Sequence, residues 1–334
     1  MDLDVLFLGT AGAVPTAQRA PAAYLVRRGG ERILVDCGEG TQRQMLRSSA
    51  GLADIDLALV THFHADHVLG LPGLLKTLSL RSREAPLTIC GPPGLRSLMA
   101  SLDRVIGRLS FPLTLAEISA GDAIERDGYR IEPYATVHGV SSLGYALCEP
   151  MRPGQFDVEA ATALGVPPGP LFGKLQHGEP VTLDDGTTIE PGQVVGAARP
   201  GRRIVFTGDT RPSTAVLAAA AGADLLVHEA TFLEEEAERA AETGHSTAGQ
   251  AATLARDAAV SLLALTHLST RHTARQVREE AQAIFPDSVV PRDFDVIDVP
   301  FRERGMPRHI RSDRREVEPE VAEELAESEP VPGT

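Results

Sequence analysis

The sequence has no unbroken apolar stretch of the roughly 18 residues that a membrane-spanning helix needs, so no helical span is expected. Cysteine is scarce. Cys37, Cys90 and Cys148 are odd in number and far apart, which excludes a disulfide framework and fits a reducing, cytoplasmic setting. The start, Met1-Asp2-Leu3-Asp4-Val5, lacks the basic segment of a signal peptide, and none is expected. Lysine is nearly missing, with Lys76 and Lys174 alone among 32 basic residues. What is present describes a globular chain: 334 residues, 43% hydrophobic, mean hydropathy −0.06. That length allows one large or two ordinary domains.

Positive charge is outweighed. The net charge of −14 at first argues against an anionic partner. Its distribution weakens that argument, because residues 316–334 carry seven Glu and no Lys or Arg, half of the net charge. Arg308, Arg311, Arg314 and Arg315 form a basic patch just before this tail, and Arg199, Arg202 and Arg203 form a second group. Residues 306–334 are charged, contain Pro and lack aromatics, and are expected to be disordered.

The chemistry is concentrated in one hexapeptide, His62-Phe63-His64-Ala65-Asp66-His67, which holds four potential metal ligands. It follows the apolar run Ile55–Val60 and precedes a helical pattern over Val68–Leu80, so it lies on a strand-to-helix turn. His62 and His64, two apart, point the same way from extended chain, while Asp66 and His67 turn towards a second centre. Neutral imidazoles with a carboxylate suit zinc. Two metals about 3.5–4 Å apart clamp the attacking and leaving oxygens of a phosphoryl displacement. Taken alone, the cluster indicates a metal hydrolase.

Elsewhere an apolar strand repeatedly ends in a metal-competent residue. Strands are expected at Val5–Leu8, Ala23–Arg27, Arg32–Val35, Leu87–Cys90, Tyr129–Val137, Gly201–Phe206, Asp224–Val227 and Ser261–Leu265. Helices are expected at Thr41–Ser48, up to Met99, and over 246–258. His138, Asp209, His228 and His267 each follow such a run. Ligands at the carboxyl ends of strands are the usual site geometry of layered α/β proteins. The Gly9-Thr10-Ala11-Gly12 loop lacks the third glycine of a dinucleotide fingerprint. Residues 150–196, rich in Pro and Gly, interrupt the pattern and read as a protruding arm or a solvated insertion.

With these residues assembled, the chain resembles the metallo-β-lactamase superfamily, whose hallmark is the His-x-His-x-Asp-His turn. Within it, residues 3–304 are similar to the ribonuclease Z family. The resemblance rests on Val35-Asp36-Cys37-Gly38-Glu39-Gly40-Thr41-Gln42, His228-Glu229-Ala230-Thr231, Gly244-His245-Ser246-Thr247 and the 150–196 insertion with Gly169-Pro170. It implies a four-layer αβ/βα sandwich over residues 1–305 with an inserted tRNA-gripping arm. It implies two zinc ions, or other divalent ions such as manganese: His62, His64 and His138 on one, Asp66, His67 and His267 on the other, Asp209 bridging. Asp66 would orient or deprotonate the attacking water. His245, oriented by Glu229, would protonate the leaving 3′ oxygen. Asp36 would hydrogen-bond a ligand histidine. Gly169, Pro170, Lys174 and Arg19 would touch RNA. In many members the loop after the first strand reads Pro-x-Lys-x-Arg-Asn; here Pro15 and Arg19 match, and Ala17 and Ala20 replace Lys and Asn.

The implied reaction is removal of the 3′ trailer of precursor tRNA, leaving a 3′-hydroxyl, by a cytoplasmic homodimer whose arm acts on tRNA at the partner subunit. Two readings stand beside it: a small-molecule phosphodiesterase on the same metal site, and a silent RNA-binding protein. His272 reads as a surface helix residue, and His177 and His309 have no partner pattern.

Overall fold

The computed structural model describes residues 1–52 and 54–312. Seventeen strands occur among them. In chain order the first nine are β1 (Leu3–Gly9), β2 (Ala23–Arg28), β3 (Glu31–Val35), β4 (Leu57–Leu59), β5 (Leu87–Gly91), β6 (Leu113–Glu117), β7 (Ile124–Arg126), β8 (Tyr129–Ala135) and β9 (Leu143–Cys148). The others are β10 (Val181–Thr182), β11 (Thr188–Ile189), β12 (Arg203–Phe206), β13 (Leu225–Glu229), β14 (Leu262–Thr266), β15 (Ser288–Val289), β16 (Val296–Asp298) and β17 (Arg308–Ile310). One sheet runs β17-β16-β1-β2-β3-β4-β5-β6, and a second runs β15-β14-β13-β12-β9-β8-β7.

Period-two side chains explain the layering. Leu3, Val5 and Phe7 of β1 face the core between the sheets, where they join Ile131, Tyr145, Ile204 and Leu225. Leu6 and Leu8 face the other way, onto a core shared with Met45, Leu71, Leu74, Leu75 and Met99. These last residues lie on α1 (Thr41–Arg47), on α3 (Gly70–Leu80), which follows the short α2 (Ala65–Val68), and on α4 (Leu95–Ile106). A third core lies outside the second sheet, where Val205, Leu226 and Leu263 meet Val216, Ala251, Leu254 and Val277. The result is the four-layer αβ/βα sandwich.

The insertion is a small body of its own. It holds α5 (Val158–Ala163), α6 (Pro170–Gln176) and the β10–β11 hairpin. Ala161, Val166, Leu175, Val181, Ile189 and Val194 form a cluster separate from the three main cores. Arg152 and Arg199 pair as an antiparallel bridge at its base.

The remaining helices lie outside the second sheet or at its edge: α7 (Thr214–Ala220), α8 (Ala237–Thr243), α9 (Ala248–Asp257) and α10 (Ala274–Gln282). α9 begins two residues later than expected, because Thr247 and Gln250 form a reciprocal cap. The expected disorder from residue 306 is corrected in part. Arg308–Ile310 adds an edge strand against Val296–Asp298, and the Arg308 guanidinium donates to Asp298 at 2.7 Å. The rest of that stretch, 313–334, including Arg314, Arg315 and the acidic tail, lies outside the described residues. No helix among the described residues is long and apolar enough to cross a membrane.

Candidate metal centre

The hexapeptide follows β4, whose Leu57–Leu59 core sits in the first sheet. His62 and His64 lie in the extended stretch before α2, and Asp66 and His67 lie within it. The other donors come from the second sheet. His138 lies in the β8–β9 loop, Asp209 just past β12, and His267 just past β14. The site therefore forms where the carboxyl ends of strands from both sheets meet. The backbone bends sharply there. His267 has φ 56° and Asp36 φ 57°, left-handed values that non-glycine residues rarely adopt. Gly208, at φ 59°, is required as glycine, because a Cβ would approach Thr61 Cβ to 2.8 Å.

The donor atoms converge as two trios about one carboxylate. His64 Nδ1 lies 3.1 Å from His62 Nε2 and 3.0 Å from His138 Nε2. On the other side, His267 Nε2 lies 3.1 Å from Asp66 Oδ2, and His67 Nε2 lies 3.6 Å from the same oxygen. Asp209 Oδ2 sits between them, 3.6 Å from His62 and His138 Nε2, 3.4 Å from His67 Nε2 and 3.3 Å from His267 Nε2.

These residues fit divalent metal. Donors about 2.0–2.1 Å from a tetrahedral zinc lie about 3.3 Å from one another, which is the spacing found. His67 Nε2 and Asp209 Oδ1 are buried without a hydrogen-bond partner among the described residues, a costly state unless a cation satisfies them. The electrostatics agree. Burial and the neighbouring imidazoles push His62 down to about 2, and burial and His138 lower His64, so both stay neutral ligands. Burial opposes the charge on Asp209, yet the histidines around it, His267 first, hold the carboxyl well below its usual range. Asp66 is also lowered against burial, mainly through His267.

A second ring of contacts fixes which nitrogen faces the centre. Asp36 Oδ2 lies 2.8 Å from His67 Nδ1, and Asp36 Oδ1 accepts the Thr61 amide at 2.8 Å. Thr61 Oγ1 lies 3.0 Å from His62 Nδ1, the Gly244 carbonyl 2.8 Å from His138 Nδ1, and Thr231 Oγ1 2.9 Å from His267 Nδ1. Four imidazoles thus turn Nε2 inward, while His64 alone turns Nδ1. Burial opposes protonation of His67, but Asp209 and Asp36 raise it well above the usual range. Nothing in the sequence marks these contacts: Thr231 and Gly244 stand in the quoted motifs without a role of their own, and Thr61 in none. A hydroxyl or a carbonyl carries no signal without its partner.

Beside the trios lies a third group. His245 Nδ1 is 2.9 Å from Glu229 Oε1 and 4.0 Å from Asp209 Oδ2. Glu229 is buried at the end of β13 and also accepts the Thr210 amide at 2.8 Å and the Thr231 hydroxyl at 2.6 Å. Burial lowers His245, but Glu229 outweighs it and the net shift is upward. An imidazole whose protonated form is favoured thus lies beside the converging donors.

Other expected residues lie elsewhere. Gly169 precedes α6, Pro170 opens it, and Lys174 is exposed on it, so all three belong to the arm. Arg19 does not present a free guanidinium to RNA. Its Nη1 donates to Thr10 Oγ1 at 2.6 Å and to the Pro291 carbonyl at 2.8 Å, tying the loop after β1 to the body. The second basic group is not a patch. Arg202 is buried against Glu149, Arg203 pairs with Glu132 at 3.4 Å, and Arg199 with Glu303 at 3.1 Å. His272 is not a surface helix residue either. Its side chain is largely buried in the turn before α10, with Nε2 2.6 Å from Glu236. His228 is buried on β13, Nδ1 2.8 Å from the Glu229 carbonyl. His309 faces Asp295 at 2.7 Å, and His177 caps the Gly173 carbonyl at 2.6 Å.

Comparison with known proteins gives one consistent result. Residues 17–265 match the metallo-β-lactamase superfamily. A ribonuclease Z of the archaeon Natronomonas pharaonis is 49% identical over 306 residues, covering 90% of this chain and 99% of the relative. The ribonuclease Z of Myxococcus xanthus is 47% identical over 308 residues, with coverage of 90% and 99%. Among solved structures, the short form of human tRNase Z superposes with a TM-score of 0.64 at 27% identity, covering 89% of this chain and 99% of that one.

Proposed function

Because the chain belongs to the metallo-β-lactamase superfamily and, within it, to the ribonuclease Z family, we propose that it is a metal-dependent endoribonuclease that removes the 3′ trailer of precursor tRNA. The observation that carries this reading is a complete double donor set in a chain aligned over nine-tenths of its length with relatives named ribonuclease Z.

His62, His64 and His138 would hold one zinc, Asp66, His67 and His267 a second, and Asp209 would serve both. Bound there, the ions supply Lewis acidity at the phosphate and lower the pKa of the attacking water. The protein's own groups do the rest. Asp66, held by the Ala13 amide at 2.8 Å, orients the water or takes its proton. The water oxygen bonds to phosphorus as the bond to the 3′ oxygen breaks. His245 gives that oxygen a proton, which leaves a 3′-hydroxyl on the tRNA and the phosphate on the trailer. Glu229, facing Nδ1, orients the His245 ring and raises its pKa, so that the charged, donating form is favoured. The arm, through Gly169, Pro170 and Lys174, grips the body of a tRNA whose 3′ end sits in the active site of a partner subunit, so the working form is a homodimer.

The test is cleavage of a 3′-extended precursor tRNA alongside bis(p-nitrophenyl) phosphate, with and without chelator. Chelator-sensitive cutting near the discriminator nucleotide supports the reading, and the cut position reveals the effect of Ala17 and Ala20. Hydrolysis of the small diester without RNA cleavage rejects it in favour of a phosphodiesterase. For the dimer, an arm-deleted protein is mixed with Asp209→Ala. Recovery of activity means that arm and active site act from different subunits.

A further inference from the structure

The arm has its own core, so something at its base must set its direction. Its stem passes through Arg152 and Arg199, which pair by two backbone hydrogen bonds, Arg152 N to the Arg199 carbonyl at 2.7 Å and the reverse at 2.9 Å. These bonds prolong the β9–β12 pairing, which continues past the strands through Glu149 N to the Arg202 carbonyl at 3.0 Å, and they link the two halves of the stem to each other. Here both arginines reach the same carboxylate on the main body. Arg152 donates to Glu303 in a bidentate pair, Nη1 to Oε1 at 2.8 Å and Nη2 to Oε2 at 2.9 Å. Arg199 Nη1 donates to Glu303 Oε1 at 3.1 Å. Glu303 ends on a fixed point, because its 3-10 turn, Arg302–Arg304, is tied down by Arg302 Nε donating to Asp224 at 2.7 Å.

The contact extends into the protein. The Arg152 guanidinium stacks on Phe301 with Cζ 3.6 Å from the ring centroid, and Arg202 does so at 4.1 Å. Arg202 is held by both oxygens of Glu149 at 2.8 Å, and Glu149 also accepts Arg28 at 2.9 Å. A chain of contacts thus runs from the buried Arg28–Glu149–Arg202 group, through Phe301 with a guanidinium of Arg202 and one of Arg152 on its ring, to the stem arginines and Glu303. Isolated surface pairs contribute little, but a bidentate pair within a network restrains geometry.

We infer that Glu303 is a positioning residue that fixes the angle of the arm, and through it the affinity for the large substrate. This rests on the reading that the arm grips tRNA. Glu303 touches neither the metal centre nor the scissile bond, so chemistry on a small substrate does not need it.

The experiment places spin labels at Asp184→Cys on the arm and Arg104→Cys on α4, both exposed positions. The native Cys37, Cys90 and Cys148 are buried. The inter-label distance distribution and steady-state kinetics are then measured in the parent, in Glu303→Gln and in Glu303→Asp. The expected result is a narrow distribution in the parent that broadens in Glu303→Gln. KM for precursor tRNA should rise about tenfold, with kcat and bis(p-nitrophenyl) phosphate kinetics unchanged, and Glu303→Asp should recover part of both effects. An unchanged distribution and KM overturn the inference, as does an equal loss on both substrates with a lowered melting temperature. If the parent fails to cut RNA, the tRNA reading falls, while the distances still decide whether Glu303 holds the arm.

Discussion

The Thr231 hydroxyl joins His267, whose Nδ1 lies 2.9 Å away, to Glu229, whose Oε2 accepts it at 2.6 Å. With its proton given to Glu229, Thr231 can only accept from His267, which fixes Nε2 as that residue's free nitrogen. One hydroxyl thereby ties a metal-facing imidazole to the carboxylate that orients His245. Thr231→Val removes the acceptor and leaves Glu229 short of a donor. The expected cost is about 10–100-fold in metal affinity or activity, read by metal titration and kcat, while Thr231→Ser retains most of both.

In the proposed mechanism the role of His245 is separable from that of the metals. A proton donor matters when the leaving group is a poor one, such as a ribose 3′ oxygen, and much less when it is p-nitrophenolate. His245→Ala should therefore lower kcat on precursor tRNA by about 10²–10⁴ and change bis(p-nitrophenyl) phosphate hydrolysis far less. Equal losses on both would mean that His245 acts by shaping the metal site.

Removing the shared carboxylate is a different kind of lesion. Asp209 Oδ2 lies within 3.6 Å of four imidazole nitrogens, so Asp209→Ala leaves both trios a ligand short. Turnover on both substrates should disappear, and bound metal, counted by mass spectrometry of the purified protein, should fall. Asp36→Ala, one contact further out, should keep partial metal and lose about 10–100-fold.

Metal-competent residues of this kind are legible in a sequence because their chemistry is local. Three histidines and an aspartate in six positions have few other uses, and the strand-end rule located His138, Asp209 and His267. The strands themselves were legible where an apolar run stopped at a polar residue. β9 escaped because Leu143–Cys148 is buried on both faces and so shows no alternation of apolar and polar residues. The group Arg199, Arg202 and Arg203, and Arg19, misled because charge reads as surface until its partner is known. Arg199 and Glu303 are 104 residues apart, and Arg19 reaches Pro291 across 272. Long-range pairing of this kind has no sequence period.

The separate arm core makes a clean deletion possible. Gly196 N donates to the Gln155 carbonyl at 2.9 Å, so the two ends of the arm are adjacent and a short linker closes the gap at small entropic cost. Replacing 155–195 with a few Gly and Ser residues should leave melting temperature and diester hydrolysis close to the parent. KM for precursor tRNA should rise far more than KM for the diester. Unchanged tRNA kinetics would remove the arm from substrate binding. In the intact protein, tRNA binding should weaken steeply with salt.

Stability should carry a pH signature from Asp293, a residue outside the metal centre. Burial pushes its carboxyl up to about 6, against the Ala20 amide and the Thr10 hydroxyl that favour the charged form. The unfolded value is near 3.9, so the folded protein binds this proton more tightly. The resulting stabilisation is fully present below about pH 4 and is lost as pH rises through about 6. Two units correspond to at most about 3 kcal/mol. Asp293→Asn cannot ionise, so its melting temperature should change less between pH 4.5 and 6.5 than that of the parent. The substitution has its own cost, because Oδ2 accepts both the Ala20 amide at 2.7 Å and Gln44 Nε2 at 2.8 Å. The informative quantity is therefore the difference in slope, not the absolute stability. Parallel curves for the two proteins would mean that Asp293 titrates like a solvated carboxylate.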